Sequence, residues 1–171
     1  MKPTIICILM LLSFTANAQK MNKKIDDPTK GRSVLINQCT REGLINFPEM
    51  KERYDVEYPA YQPDSAVIDS IKSWVKDQTI TIVLGTWCGD SKLQVPHFFK
   101  ILDKAGVAEK NITLICVDGL KKAEAGLIDS LDIQRVPTFI FYNKEKKETG
   151  RIIESPQISL EKDMLVILSK N

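Results

Sequence analysis

The residue with the clearest capacity for chemistry is Cys88, which lies in the segment GTWCGDSK at residues 85–92. The apolar, β-branched run TITIVL at residues 79–84 predicts a buried strand before it, and the spacing of apolar residues after it predicts a helix. Cys88 is therefore expected where a strand ends and a helix begins. A helix N-terminus presents unpaired N–H groups and the positive end of the helix dipole, which stabilise a thiolate, the reactive form of cysteine.

The neighbours of Cys88 offer little further chemistry. The one histidine, His97, is nine residues away, or about 13 Å along a straight helix, so we expect a helix-face residue and not a base for the thiol. Asp90 is expected to point to solvent or to cap the start of the helix. A single histidine cannot form a metal-ligand cluster, and the sequence predicts neither a metal site nor a cofactor.

Length and composition favour one domain with an extension, since the chain has 171 residues and 43% hydrophobic content. The formal charge of +2 is the balance of 24 basic and 22 acidic residues, which gives no reason to expect a nucleic acid partner.

The N-terminus has the pattern of a cleavable signal peptide over residues 1–18. Lys2 is followed by an apolar run from residue 5 to 14 and by the small residues of Ala16-Asn17-Ala18. The run is too short to span a bilayer, and Cys7 lies inside it, where a lipid-anchored cysteine would leave almost no hydrophobic region. We therefore expect a periplasmic or secreted protein that starts near Gln19 and has no membrane anchor.

Three cysteines remain after residue 18: Cys39, Cys88 and Cys116. An odd number in an exported protein indicates a free thiol. Cys116 lies within a predicted strand and is expected to be buried. Cys39 cannot be placed from the sequence, so a Cys39–Cys88 pair stays open; it would need Cα atoms within about 7 Å.

Periodicity and turn residues predict the following elements. Residues 19–31 form a flexible leader, and residues 32–44 have helical spacing. The region at about 32–63 is expected to be a structural extension that covers one side of the sheet, with Tyr54, Tyr58 and Tyr61 packed on the domain; a partner-binding surface is the alternative. After it we predict a helix capped by Asp64, a strand at 79–84 and a helix at 91–105. A strand at 111–117 and a helix at 121–131 follow. The chain is then expected to form a hairpin at 139–142 and 150–153 and a last helix that begins at Ser155-Pro156 or Ser159. This order indicates an α/β protein with a central mixed sheet and helices on both faces.

Residues 87–91 resemble the W-C-x-x-C active-site motif of the thioredoxin superfamily, with Ser91 in the place of the second cysteine. Pro96 matches the proline that kinks the active-site helix of that family. Val136-Pro137-Thr138, followed by FIFY, is similar to its cis-proline loop and the next strand. The resemblance covers about residues 64 to 170. It implies an exported bacterial protein with a thioredoxin-like domain at 64–171, after a signal peptide at 1–18 and a leader and helical N-terminal extension at 19–63.

The resemblance also implies site residues. Cys88 would be the nucleophile, and Trp87, Val136 and a cis Pro137 would bind the substrate, with the backbone of Val136 pairing to an extended chain. Ser91 can donate a hydrogen bond to the Cys88 thiolate, but a hydroxyl does not form a disulfide and cannot release a mixed disulfide. The expected chemistry is therefore monothiol.

Two departures from the family stand out. Ile82 occupies the position of a buried aspartate that moves protons from the second cysteine, and Leu114 that of a buried lysine on the neighbouring strand. Their loss is expected where no second cysteine needs deprotonation. It is equally expected if the site has fallen out of use.

The sequence thus favours an exported thiol-disulfide oxidoreductase or isomerase that acts through a single cysteine on protein thiols, protein disulfides or small-thiol adducts. The alternative is a non-catalytic thioredoxin-fold binding module or chaperone for extended polypeptides. A thiol peroxidase is less favoured: Thr86 lies two residues before Cys88, but the rest of that family's peroxide-activating arrangement is not visible. Neither the physiological partner nor the oligomeric state follows from the sequence.

Overall fold

A six-stranded mixed sheet organises residues 21–170, the part of the chain that the computed structural model describes. Its strands are β1 (Lys23–Asp27), β2 (Arg32–Cys39), β3 (Thr79–Leu84), β4 (Ile112–Cys116), β5 (Thr138–Tyr142) and β6 (Glu148–Ile153). Across the sheet they run in the order β1-β2-β4-β3-β5-β6. β3 and β4 are parallel, and every other neighbouring pair is antiparallel.

Within residues 21–170, five α-helices pack against the sheet: α1 (Arg41–Ile45), α2 (Pro48–Ala60), α3 (Ser65–Trp74), α4 (Gly89–Ala105) and α5 (Leu160–Leu168). Each contributes buried side chains to the larger of two hydrophobic clusters, which also takes Ile80, Ile82 and Leu84 from β3. Val83, between them, belongs to a smaller cluster. Because successive strand residues face opposite sides, the two clusters lie on opposite faces of the sheet.

The smaller cluster lies beneath the chain that follows β4. Ile115, Val117, Ile128 and Val136 join Val83 there. The covering segment forms two 3₁₀ turns, Glu124–Gly126 and Asp129–Leu131. With both faces covered, β3 can be apolar at nearly every position, which is why its sequence is a continuous apolar run.

The predicted fold class is confirmed: the chain has an α/β thioredoxin-like fold with a mixed sheet and flanking helices. The strand at residues 79–84 has the predicted bounds. The caps are confirmed as well, since the Asp64 carboxylate accepts hydrogen bonds from the N–H groups of Ala66 and Val67, and Ser159 accepts one from Lys162.

The prediction of helical spacing over residues 32–44 is wrong for its first part, where the chain forms β2. Val34, Leu35 and Ile36 are at most 4% exposed, so this strand is buried on both faces. A fully buried strand has a continuous apolar run, which periodicity cannot distinguish from a helix. Only α1, after Thr40, is helical there.

The prediction of a flexible leader is wrong over the described residues 21–31, which form β1 and a turn into β2. β1 is an edge strand, so polar residues are expected on its exposed side. Its polar sequence therefore lacks the apolar run that would predict a strand. The turn has the signals of a hairpin, with Pro28 followed by Gly31 at a φ of 63°.

The predicted helix over residues 121–131 is also wrong, because the chain forms the two 3₁₀ turns there. Lys121, Ala125 and Gly126 all have left-handed backbone, with φ between 53° and 69°. A right-handed helix cannot pass through such residues.

Residues 41–60, in the second part of the predicted extension, pack on one side of the sheet, whereas residues 32–39 are a strand within the sheet. Leu44, Phe47 and Met50 are buried in the larger cluster, and the three predicted tyrosines pack against it. α2 lies along α4. This region therefore belongs to the layer that holds the helix after Cys88.

The predicted signal peptide, with its cleavage site after Ala18 and Cys7 within it, lies outside the described residues. Within residues 21–170, no helix combines the length and apolar character needed to cross a membrane. The division into segments at residues 18 and 63 and the predicted export stay predictions.

Candidate active site

Cys88 lies between β3 and α4, at the N-cap position of the helix. Its backbone N–H donates to the carbonyl of Gly85 at 2.9 Å, and its own carbonyl accepts from the N–H of Lys92 at 3.1 Å. The side chain makes no capping hydrogen bond and is half-buried. The backbone hydrogen bonds of Cys88 therefore place its sulfur at the N-terminus of a 17-residue helix, the positive end of the helix dipole. Asp90 is exposed, as expected.

The loop before β5, the strand next to β3, lies beside Cys88. The peptide bond between Val136 and Pro137 is cis, as predicted. The Cys88 thiol donates to the Val136 carbonyl with an Sγ···O distance of 3.2 Å. This hydrogen bond joins two loops that are 48 residues apart in the chain, so the structure brings Cys88, Val136 and Pro137 together.

Trp87 lies beside the same loops. Its indole N–H donates to the carbonyl of Val117 at 3.0 Å. A Cβ atom at Gly85 would lie 2.6 Å from the indole ring, so only glycine allows the ring to fold back over this turn. Thr86, fully buried, accepts a hydrogen bond from the N–H of Leu35 in β2. The loop that carries Cys88 is thus fixed on both sides.

Ser91 is fully buried in the first turn of α4. Its Oγ accepts from the N–H of Gly85 at 3.3 Å. The predicted hydrogen bond to the Cys88 sulfur is not formed among the described residues, because the serine hydroxyl is directed toward the turn that precedes the cysteine. In this structure Ser91 therefore stabilises the loop.

The family assignment follows from this arrangement and from a sequence comparison. A family model described as thioredoxin matches residues 44–165, which is 122 of the 171 residues of the chain. The chain belongs to the thioredoxin family. A search among curated proteins found no match.

Three solved structures are similar to this chain at low sequence identity. A protein of unknown function from Pseudomonas aeruginosa is 15% identical and has a TM-score of 0.53, and the alignment covers 77% of this chain and 90% of that one. Thioredoxin O2 from Arabidopsis thaliana is 21% identical with a TM-score of 0.34, covering 54% of this chain and 79% of that one. Mitochondrial thioredoxin 3 from Saccharomyces cerevisiae is 21% identical with a TM-score of 0.33, covering 57% and 86%.

One residue beside the site of this thioredoxin-family protein was missed by sequence reasoning. Lys30, in the turn between β1 and β2, places its ammonium group 3.9 Å from the centre of the Trp87 ring. This is a cation–π contact. Lys30 lies in the segment predicted to be a flexible leader, although Pro28 and Gly31 around it are residues typical of a hairpin turn.

A buried carboxylate holds that turn in place. Asp27 accepts hydrogen bonds from the N–H and the hydroxyl of Thr29 and from the N–H of Gly119, which follows β4. The hydrogen bond from the Thr29 hydroxyl, opposed by burial and assisted by the backbone N–H groups, lowers the pKa of Asp27 below 3.8. The charged carboxylate thus ties the hairpin to the loop beside Trp87.

The two positions that depart from the thioredoxin pattern are direct neighbours. Ile82 of β3 pairs with Leu114 of β4 in the parallel register, and both side chains are buried in the larger cluster. An apolar contact therefore occupies the place where the resemblance implies a buried charge pair. These two residues cannot transfer a proton.

The other described cysteines lie away from Cys88. Cys39 and Cys116 belong to the larger cluster, whereas Cys88 packs against the smaller cluster on the opposite face of the sheet. The expected burial of Cys116 is confirmed at 0% exposure. Cys39 and Cys116 therefore pack on the other side of the sheet from Cys88.

His97 is a helix-face residue, as predicted. Its Nε2 lies 3.0 Å from a carboxylate oxygen of Glu57, and its ring stacks on Tyr61 with centroids 4.2 Å apart. Both partners are in or next to α2, so His97 holds α2 against α4.

Proposed function

We propose that this thioredoxin-family protein is an exported thiol-disulfide oxidoreductase or isomerase that acts through one nucleophilic sulfur, that of Cys88. The observation that carries the proposal is the half-buried Cys88 at the start of α4, hydrogen-bonded to the loop of cis Pro137 while every other described cysteine is on the far face of the sheet.

The Cys88–Val136 hydrogen bond suggests how substrate binding and reaction are linked. Only the protonated thiol can donate to the Val136 carbonyl, so loss of the proton ends this bond. The carbonyl is then free to accept from the N–H of an extended substrate chain, as in strand addition. Trp87 and Pro137 would form the walls of the groove that holds this chain.

The proposed reaction conserves electrons at each step. The Cys88 thiolate attacks one sulfur of a substrate disulfide, forms a mixed disulfide and releases the other sulfur as a thiolate that takes a proton from water. A second thiol of the same substrate then attacks the substrate sulfur and restores Cys88, which gives isomerisation. Net reduction instead needs two external thiols: the first attacks the Cys88 sulfur and releases the substrate as a thiol, and the second attacks the external sulfur on Cys88, which restores Cys88 and leaves the external thiol as its disulfide. Ser91 takes no part in resolution.

The same groove could serve a non-catalytic module that binds extended polypeptides. The observation that favours this second candidate is the hydrogen bond between Cys88 and Val136, which already joins the two loops through the sulfur. The buried apolar pair of Ile82 and Leu114 fits either candidate.

The test is the recovery of a protein with scrambled disulfides, measured with and without Cys88→Ser in a glutathione buffer. We expect the wild type to accelerate recovery and Cys88→Ser to abolish the acceleration. A double variant, Cys88→Ser with Ser73→Cys, moves the thiol to an exposed position on α3 and should not restore activity. Activity that survives in Cys88→Ser would contradict the proposal. Suppression of client aggregation by Cys88→Ser without any disulfide exchange would support the binding module instead.

A further inference from the structure

Two buried cysteines face each other on neighbouring strands, away from the candidate active site. Cys39 is the last residue of β2 and Cys116 the last residue of β4. Their sulfur atoms are 2.8 Å apart. The side chains are 4% and 0% exposed. The proposed function assigns no role to either thiol.

The strand register explains how they meet. β2 is antiparallel to β4, with Cys39 opposite Leu114 and Asn37 opposite Cys116, so the cysteines are diagonal neighbours. In a regular sheet such a diagonal is usually too long for a disulfide. Here Asn37, which lies opposite Cys116, has left-handed backbone with a φ of 67°, so β2 is irregular beside the two cysteines. Its side-chain amide donates to the carboxylate of Glu124 and its side-chain oxygen accepts from the Glu124 N–H, which hold this irregularity.

We propose that Cys39 and Cys116 are a second redox site, a dithiol that is oxidised to a disulfide joining the N-terminal hairpin of β1 and β2 to the central strand β4. A disulfide bond is about 2.05 Å long, so the sulfurs need to approach each other by only about 0.8 Å. The bond would close a loop between residues that are 77 apart in the chain. A disulfide restricts the unfolded chain more when the loop it closes is longer, so this bond is expected to stabilise the folded state.

The oxidant is a small-molecule disulfide, of which oxidised glutathione is the simplest probe. The thiolate of one cysteine attacks this disulfide, forms a mixed disulfide and releases one glutathione thiol. The other cysteine then attacks the protein sulfur of that mixed disulfide and releases the second glutathione. The protein loses two hydrogen atoms, and one glutathione disulfide becomes two thiols.

Oxidation is expected to occur while the chain folds, before the pair is sealed. Burial, together with the hydrogen bond to Cys39, raises the pKa of the Cys116 thiol well above its ordinary value, so in the folded protein it stays protonated and unreactive. Cys39 is the more accessible of the two, since it helps to line a surface cavity of about 630 Å³ beside Arg41 and Glu109. In a folded molecule that still has both thiols, we therefore expect the slower first attack from Cys39.

The test is a peptide map of the full chain refolded in buffers of increasing oxidised-to-reduced glutathione ratio, with free thiols alkylated before digestion. We expect one predominant linked peptide, Cys39 to Cys116, with Cys88 free. The linked protein should melt roughly 5–15 °C above the same protein after reduction with dithiothreitol. Cys88→Ser should give the same linked peptide and the same shift, and Cys116→Ala should abolish both.

The wild-type map is sufficient by itself if Cys116→Ala fails to fold. Recovery of Cys39 and Cys116 as alkylated thiols at every glutathione ratio would overturn the proposal. A predominant link from either residue to Cys88, or a stable glutathione adduct on Cys39 alone, would overturn it as well. Because Cys88→Ser keeps the pair intact, the test is independent of the proposed activity of Cys88.

Discussion

The proton on the Cys88 sulfur determines which partner the Val136 carbonyl has. With the proton in place, the thiol donates to that carbonyl at 3.2 Å. In the proposed mechanism, loss of the proton ends this bond and leaves the carbonyl free to accept from a substrate N–H. The proposed mechanism therefore links the reactivity of the sulfur to the availability of the Val136 carbonyl through a single proton.

Ser91→Cys tests whether one atom separates monothiol from dithiol chemistry in this protein. The introduced thiol would lie in the first turn of α4, three residues after Cys88, where it can attack a mixed disulfide. We expect the steady-state amount of mixed disulfide to fall by at least roughly tenfold, with a new oxidised form that has an internal disulfide. Mass spectrometry of acid-quenched reactions measures both.

Ser91→Ala is the matched control, because it removes the hydroxyl without adding a sulfur. It should leave mixed disulfides as abundant as in the wild type. Equal amounts of mixed disulfide in Ser91→Cys and Ser91→Ala would show that this position does not control release.

Among the elements, the hairpin of β1 and β2 has the most direct effect on the site. Its turn is tied to the loop after β4 through Asp27 and places Lys30 over Trp87. The positive charge is thus carried by an element outside the span, residues 44–165, that the thioredoxin family model matches. The hairpin therefore brings a positive charge to Trp87 from outside the matched region.

Lys30→Glu should change the substrate preference of the groove. A negative charge beside Trp87 repels acidic chains, so the rate of mixed-disulfide formation with an acidic disulfide peptide should fall by roughly 3–10-fold at low salt. The difference should vanish at high salt, where the charges are screened. Stopped-flow measurement with matched acidic and neutral peptides gives the rates.

Lys30→Arg retains the cation and should behave like the wild type with both peptides. An equal loss of rate for the neutral peptide would indicate that the substitution disturbs Trp87 and has no electrostatic effect on substrate choice.

A second set of contacts ties α1 and α2 to α4. The Arg41 guanidinium binds Asp103 through two hydrogen bonds of 2.5 and 2.6 Å, and the Tyr58 hydroxyl donates to the same carboxylate at 2.6 Å. Burial by itself would raise the pKa of Asp103, but these hydrogen bonds outweigh burial and hold it below 3.8. Burial, assisted by the bond to Asp103, raises the pKa of Tyr58 to about 12, so Tyr58 stays a donor.

Asp103→Asn should lower the free energy of unfolding at pH 7 by about 1–2 kcal/mol, a value reduced for the 34% exposure of this side chain. Because the pKa of Asp103 is lowered in the native state, its charged form stabilises the protein at pH values above the unfolded-state pKa of about 3.9. The difference from wild type should therefore disappear as the pH falls through the native pKa. Urea unfolding at several pH values measures it.

Asp55→Asn is the control, since Asp55 forms an exposed ion pair with Lys51 on α2. It should change stability by less than about 0.5 kcal/mol. A gap for Asp103→Asn that stays constant down to low pH would mean that packing, and not the charge, accounts for the effect.

For the whole molecule, the position of Cys88 depends on how α4 packs on the sheet. Phe98 is fully buried and contacts Phe139 and Phe141 with ring centroids 4.3 and 6.1 Å away. β5, which carries both partners, is also the strand that follows Pro137. The same core contact therefore positions both halves of the candidate site.

Phe98→Ala should lower the free energy of unfolding by about 3–5 kcal/mol, because it removes a large side chain and leaves a cavity. Val166→Ala, at a side chain that is 50% exposed, should change it by less than about 0.5 kcal/mol. Guanidinium unfolding followed by circular dichroism compares the two. Similar small losses in both would show that α4 is positioned by contacts other than the aromatic cluster.

Strongly patterned elements could be predicted from the sequence, and weakly patterned ones could not. β3, α4 and their caps follow from the apolar run before Cys88 and the helical spacing after it. β1 was missed because an edge strand needs few apolar residues. The sequence of β2 predicts a helix because burial on both faces of a strand removes the alternation of apolar and polar residues. The 3₁₀ turns could not be predicted because left-handed backbone at Lys121 and Ala125 has no sequence signal of its own.

The sequence by itself determined that Cys88 follows a buried strand, starts a helix and has a serine three residues later, since local spacing fixes each of these properties. The tertiary structure decided which groups meet across the chain: Cys88 with Val136, Lys30 with Trp87, and Cys39 with Cys116. The physical reason is that strand order and register bring together residues 48 to 77 positions apart, and no local pattern encodes those pairings.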